Sequence, residues 1–370
     1  MQFSCSNVNL IEGLQTVTKA LAVRTTNSIL EGILIETNEE GVMMTCTDER
    51  LTIVTQIEAN VIQHGRGVVP GKLFNEIIRR MPDGLITISM NERFIFRISS
   101  AASRMNIAGQ DADLFPALPQ MEDARSIVLP QNMLRDMIQK TEFAIATEDM
   151  REILTGCLLE INNGNVNMVA LDGYRMALCK SYCSNVDATM NAIIPGRAVG
   201  DIGKLLSDDS EALVELYFGG NKLHLKLENT EIFVILVEGE YINYRQILPG
   251  QFATKVIVEL DDFRRCVDRA ALIAREGNNN LLLLRIANGE LIIEAHSQIG
   301  DVHEELEIAQ DGADINIAFN VKYLIDVVKY ISADRIEINI NSAISPCVIT
   351  PVGDPNYLHL VLPVRTSATA

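Results

Sequence analysis

No tryptophan occurs among the 370 residues, aromatic side chains make up only 5% of the chain, and Lys plus Arg number 31 against 49 Asp plus Glu. No apolar run approaches the roughly 18 to 20 residues that a membrane-spanning helix needs, which excludes a helical membrane anchor. The opening MQFSCSNVNL lacks a basic stretch followed by an apolar core, so no secretory signal is expected and the expected location is the cytoplasm. The seven cysteines (5, 46, 157, 179, 183, 266 and 347) are scattered, odd in number and without a CxxC pair, a pattern of reduced, mostly buried thiols rather than disulfides or a zinc site. The five histidines (64, 224, 296, 303 and 359) are equally dispersed, none at metal-ligand spacing from a second His or Cys, and neither a metal nor a cofactor is expected. Catalytic motifs are missing too. GRG at 65–67 lacks the Gly spacing and following Lys-Ser or Lys-Thr of a phosphate loop, and GxSxG and HExxH do not occur. The net charge of −18 argues against nucleic acid, provided the charge is evenly spread, because phosphate binding relies on Lys and Arg displacing counter-ions.

What is present is a repeat. The length suits two or three domains, and the 48% hydrophobic fraction is normal for packed ones. The segment VVPGKLFNEIIRRM (68–81) recurs in outline as IIPGRAVGDIGKLL (193–206) and as AFNVKYLIDVVKYI (318–331), each shifted by 125 residues. In that register Lys72, Arg197 and Lys322 share a position, as do Glu76, Asp201 and Asp326, and Arg79, Lys204 and Lys329. Bases seven apart with an acid between them lie on one helix face, and the apolar residues Phe74, Ile77, Ile78 and Met81 take the other. Strand signals recur as well, at GVMMTCTD (41–48), NVNMVALD (165–172) and ELIIEAHS (290–297), and each copy opens with a helix, over 9–22, 131–144 and 261–275. Three α+β domains are therefore expected, over 1–122, 127–249 and 253–370, with strands outnumbering helices.

The charge is not evenly spread. The six expected helices, 9–22, 71–80, 131–144, 196–206, 261–275 and 321–331, hold 14 Lys or Arg against 9 Asp or Glu, a net of +5, which leaves −23 on the rest of the chain. An excess of that size on any single helix is an ordinary solvated face. Its recurrence at equivalent positions in three copies points instead to a quasi-symmetric surface lined by basic helices and backed by an acidic exterior. Such a surface holds a duplex by its backbone, without reading bases and with strong salt dependence. No aromatic stripe accompanies the bases, which disfavours single-strand binding.

In order and spacing, RTTNSILEGI (24–33), ADLFPALP (112–119), DMREILTG (149–156), ALDGYRMAL (170–178), NYRQILP (243–249), RAALIAREGNNN (269–280), FNVKYLIDVV (319–328) and LHLVLPVRT (358–366) resemble the bacterial DNA polymerase III beta subunits, the replicative sliding clamps. The resemblance covers essentially the whole chain. It implies a DNA-clamp fold of three repeated domains, each of two β-sheets with two helices, closing head to tail as a homodimer into a six-domain ring. It also implies a non-catalytic accessory subunit, nucleoid-associated during replication, that encircles double-stranded DNA without sequence specificity. Carried over position by position, the implied DNA-facing residues are Arg24, Lys72, Arg79, Arg135, Arg197 and Lys204; Glu152 and Ile153 stand where some members place tyrosines.

The implied partner pocket would take a short peptide with an apolar end, carried by the polymerase III catalytic subunit, the clamp loader, and repair or other polymerases. Its positions are Leu154, Gly173, Tyr174, Arg175, Met176, Ile242, Gln246, Ile247, Asn320, Tyr323, Pro346, Val348, Leu360, Leu362, Pro363, Val364 and Arg365. Apolar members would bury an anchor, with Arg175 and the Gly173 backbone fixing polar groups. Without the resemblance, Leu360 and Leu362 read as a strand alternating into a core. Ile242 stands where Pro is frequent and Tyr174 where His is common, and the tail SATA extends past the usual ending. Two other readings remain at this stage. One is an oligomeric scaffold without a DNA role. The other is a hydrolase using Asp172, although the match of Asp172 to Asp48 and Ser297 suits a turn residue better.

Overall fold

The computed structural model describes residues 1–101, 103–147, 151–277 and 280–366. Among these lie six α-helices: α1 (Asn7–Val17), α2 (Gly71–Arg80), α3 (Gln131–Gln139), α4 (Gly196–Leu205), α5 (Leu260–Ala274) and α6 (Val321–Lys329). Each stands where the repeat places a helix. Two are shorter than their apolar spacing suggests. α1 starts where the Ser6 hydroxyl accepts from the Asn9 amide (3.1 Å) and stops at Val17, where Thr18 Oγ1 donates back to the Leu14 carbonyl (2.6 Å) and a 3₁₀ turn follows. α3 stops at Gln139, with Thr141 Oγ1 donating to the Met137 carbonyl (2.7 Å) ahead of a second 3₁₀ turn.

The chain forms two compact units whose limits fall inside α3 and α4. Unit 1 comprises Met1–Asn132 with Lys204–Leu236; unit 2 comprises Met133–Gly203 with the chain from Val237 onward. Unit 1 holds an eight-stranded antiparallel sheet in the order 125–130, 213–219, 222–226, 230–235, 51–57, 41–47, 32–38, 66–70. Half of these strands come from the first repeat and half from the second. They join where Thr230–Ile235 runs beside Leu51–Ile57, with Ile232 opposite Ile53 and Phe233 opposite Thr52. Ile33, Ile35, Met44, Ile53, Leu216 and Ile232 form a fully buried face, and Leu14, Phe74 and Ile78 bring α1 and α2 into the same core. A five-stranded sheet, in the order 60–63, 2–6, 85–90, 95–99, 104–108, completes the unit.

Unit 2 repeats the plan one step along the chain. Its nine-stranded sheet runs 189–195, 156–162, 165–171, 175–182, 357–361, 347–351, 335–340, 254–259, 309–312. Here the second repeat meets the third: Arg175–Tyr182 pairs with Tyr357–Val361, with Ala177 opposite His359 and Leu178 opposite Leu358. A four-stranded sheet, in the order 300–307, 290–297, 281–287, 315–320, packs against α5. Each sheet ends in two edge strands, and among these are Arg104–Ala108 in unit 1 and Gly300–Glu307 in unit 2. All seven cysteines are free, and every one but Cys183 is buried.

Candidate functional site

An apolar ladder crosses three neighbouring strands of unit 2. Register places Met176 opposite Leu360 and Leu360 opposite Val348, so the three side chains share one face of the sheet. Leu154 joins them from the second repeat, and all four are nearly fully buried in one cluster. Ile242 and Leu362 pack on it from the rim, half-buried. An apolar floor with a partly open rim suits an aliphatic or aromatic anchor. Ile153 packs on this cluster too, so it is part of the apolar body here.

Beside the floor, the hairpin between 165–171 and 175–182 supplies a polar wall. Gly173 takes φ +86°, a conformation that favours glycine, and the Asp172 carboxylate accepts from the amides of Tyr174 and Arg175, both at 3.0 Å. Asp48 does the same for Arg50 (3.0 Å) and Leu51 (2.8 Å). The Asp172 carboxylate is thus committed to a turn and to an ion pair with Arg175 Nε (2.9 Å).

Arg175 is only 8% exposed, and every part of its fork is engaged. Besides Asp172, it pairs through Nη1 with Asp326 of α6 and donates through Nη2 to the Phe143 carbonyl (2.7 Å). Its guanidinium lies 4.8 Å from the Tyr323 ring centre and 5.5 Å from that of Phe143. Tyr323 in turn stacks on Tyr174 (6.2 Å between ring centres), an exposed side chain whose carbonyl accepts from the Leu362 amide (2.8 Å). Next to this network His359 is fully buried, its ring edge-on to Tyr357 (4.3 Å) and neither nitrogen hydrogen-bonded among the described residues. Burial first, and then the Arg175 charge, push its pKa down to about 3, so it is neutral.

The remaining expected pocket residues flank this centre. Gln246 and Ile247 are exposed at the end of a 3₁₀ turn that Glu160 anchors, through Arg245 Nη1 (3.0 Å) and Tyr244 Oη (2.8 Å). Arg245, with help from Asn167 and Tyr244, holds the Glu160 carboxyl at about 2. Asn320 caps α6 by accepting from the Lys322 amide (3.0 Å), which sets the helix that carries Tyr323 and Asp326. The Val364 amide donates to the Ala318 carbonyl (2.8 Å); Pro346 and Pro363 are half-buried and Arg365 is exposed. The tail Ser367–Ala370 lies outside the described residues.

The expected DNA-facing bases are mostly open to solvent. Lys72 and Arg79 are exposed on α2, and Arg197 and Lys204 on α4; Arg24 is exposed in the loop after α1, and Arg135 is half-buried on α3; their repeat mates Lys322 and Lys329, outside that expected set, are exposed on α6. Arg80, which has no basic counterpart in the other copies, pairs with Glu76 (3.0 Å). Among the described residues no three His, Cys, Asp or Glu side chains gather as a metal site, and no helix is long and apolar enough to cross a membrane.

Family models for the DNA polymerase III beta subunit match the chain three times over, as its N-terminal domain (residues 1–119), central domain (128–243) and C-terminal domain (245–365). The chain belongs to the DNA polymerase III beta subunit family. It is 32% identical over 378 residues to the beta sliding clamp of Staphylococcus aureus, covering 99% of this chain and 100% of that one. Among solved structures, a DNA polymerase III beta subunit of Eubacterium rectale superposes with a TM-score of 0.94 at 32% identity, covering 99% of this chain and all of that one. The DNA polymerase sliding clamp of Bacillus subtilis gives 0.94 at 31%, with 99% of each chain covered. Within this beta-subunit fold, sequence reasoning missed Asp326 as a partner of the hairpin, and missed Phe143 and Glu160 altogether. For Asp326 a signal existed in the recurring helix acid; Phe143 acts through a backbone carbonyl, which no side-chain pattern records.

Proposed function

We propose that two copies of this chain close head to tail into a ring that encircles duplex DNA, and that the groove over Met176, Leu360 and Val348 carries partner proteins by a short apolar-ended peptide. The observation that carries this reading is the recurrence of exposed bases seven apart on α2, α4 and α6, those of α6 each followed by a tyrosine, with Lys329 4.9 Å from the Tyr330 ring centre. Such groups bind phosphates weakly and exchangeably, so the ring slides while its closure prevents escape. The protein is then a non-catalytic accessory subunit of three domains, 1–122, 127–249 and 253–370, located in the cytoplasm on the nucleoid during replication. Its partners are the polymerase III catalytic subunit, the clamp loader, and repair and other polymerases with a clamp-binding peptide. The bases proposed to face DNA are Arg24, Lys72, Arg79, Arg135, Arg197 and Lys204.

The open sheet edges support the dimer. In each unit the strand after the hairpin (51–57 or 175–182) pairs with the last strand of the next repeat (230–235 or 357–361). The third such pair, Gly300–Glu307 and Arg104–Ala108, is unsatisfied within one chain and would form between copies. The first strand carries exposed Asp301, Glu305 and Glu307, the second Arg104, and apolar Ile299 and Met105 stand exposed at or next to these strands. The test loads the protein onto nicked circular DNA with its loader and then linearises the circle. Retention on the circle and rapid loss from the linear form is the expected result; equal retention on both would rule out topological linkage.

A further inference from the structure

The recurring acid of the short helices has different partners in the three copies. On α2, Glu76 pairs with Arg80 of its own helix (3.0 Å), and on α4, Asp201 pairs with Arg197 of its own helix (3.9 Å). On α6 the same position, Asp326, reaches out of the helix to Arg175 in the hairpin. Arg175 is too enclosed to touch a bound peptide, since its three hydrogen-bonded nitrogens serve Asp172, Asp326 and the Phe143 carbonyl. What it does touch is Tyr323, which stacks on Tyr174, whose carbonyl holds the Leu362 amide at the groove rim. The positions equivalent to Arg175 and Tyr323 one repeat earlier are Leu51 and Ala198, which can make neither contact.

We propose that Asp326 is a positioning residue for partner binding: by fixing Arg175 it sets the Tyr174–Tyr323 wall and the Leu362 rim, and this diversion of a helix acid confines the peptide groove to the junction of the second and third repeats. The inference rests on the groove being the partner site. It assigns Arg175 a role through its neighbours instead of direct contact with the peptide.

The test titrates a fluorescein-labelled hexapeptide ending in leucine-phenylalanine into the purified full-length protein. Wild type binds, and Leu362→Ala, at the rim, weakens binding. Asp326→Asn, which never meets the peptide, weakens it by about tenfold, the scale of a lost charge-assisted contact. Glu76→Gln, at the equivalent acid of α2, leaves binding unchanged. The double variant Arg175→Met/Asp326→Leu removes both buried charges, recovers the unfolding midpoint and still binds weakly, which separates positioning from stability. If Asp326→Asn binds within about twofold of wild type, or if the double variant recovers affinity along with stability, the proposal is overturned and the groove stands. If wild type does not bind, or Leu362→Ala binds as wild type does, the reading of the groove fails and the proposal with it.

Discussion

The two junctions between repeats share a backbone and differ in what they bury. In unit 1 the pairing brings together Leu51 and Val234, and Ile53 and Ile232; in unit 2 the matching pairs are Arg175 and Val361, and Ala177 and His359. At these two positions the first junction is aliphatic, and further along it Thr55 and Thr230 hydrogen-bond across the strands (2.8 Å). The other exchanges a leucine for a fully engaged arginine, and an isoleucine pair for a small residue facing a histidine. Pairing register is thus preserved through wholesale changes of side chain. The seam with a buried arginine and histidine is also the one beside the apolar cluster of Met176, Val348 and Leu360.

Copying the first junction into the second should break it most severely. Arg175→Met leaves Asp326 without its counter-ion and should cost about 3 to 5 kcal/mol in urea unfolding; adding Asp326→Leu should return most of that. The reverse transplant, Leu51→Arg, puts a charge at a buried position, while Asp201, the acid equivalent to Asp326, already pairs with Arg197, and it should destabilise the protein.

Acid should distinguish the seams next. His359 is neutral when folded, with a pKa near 3, whereas the unfolded chain takes up a proton near the ordinary value of 6.5. Its contribution is therefore intact above pH 6.5 and is lost progressively as pH falls from there toward 3. A loss of about 2 to 3 kcal/mol between neutrality and pH 4 is expected. His359→Leu, which restores the aliphatic character of Ile232, should flatten that profile; an unchanged pH dependence would remove His359 as its source.

Smaller effects come from the hairpin tips. Glu49 holds φ +72° where unit 2 has Gly173. Glu49→Gly should raise stability by about 0.5 to 1 kcal/mol, and Gly173→Ala should lower it by a similar amount, read as opposite shifts in melting temperature. Smallest of all, Lys72→Ala and Arg197→Ala should each reduce the slope of log affinity for duplex against log salt by about one, without altering sequence preference.

All six helices were legible because each is coded locally, by apolar spacing within a dozen residues and by a shift that recurs. Their ends were less so, since Thr18 and Thr141 turn their hydroxyls back on the preceding turn, a choice that periodicity does not record. Which strands join across repeats was hidden, because edge pairing depends on contacts far apart in sequence. Leu360 and Leu362 read from alternation as core and from resemblance as pocket. Leu360 is buried in one cluster with Leu154, Met176 and Val348, Leu362 packs half-buried on it, and the pocket role is a proposal. Arg175 was legible as important, and its partner Asp326 sits in the repeat, but a sequence separation of 151 conceals the pair.

The acids of Gly300–Glu307, proposed to meet Arg104 of a second copy, would have a second effect. An edge strand bearing Asp301, Glu305 and Glu307 would set carboxylate against carboxylate if it met its own copy, so the same charges that favour the basic edge would reject the symmetric mistake. Ionic strength then acts on assembly fidelity as well as on affinity. Added salt loosens the correct seam and at the same time lifts the penalty on the wrong one, so the ring should assemble most cleanly where the screening length is long.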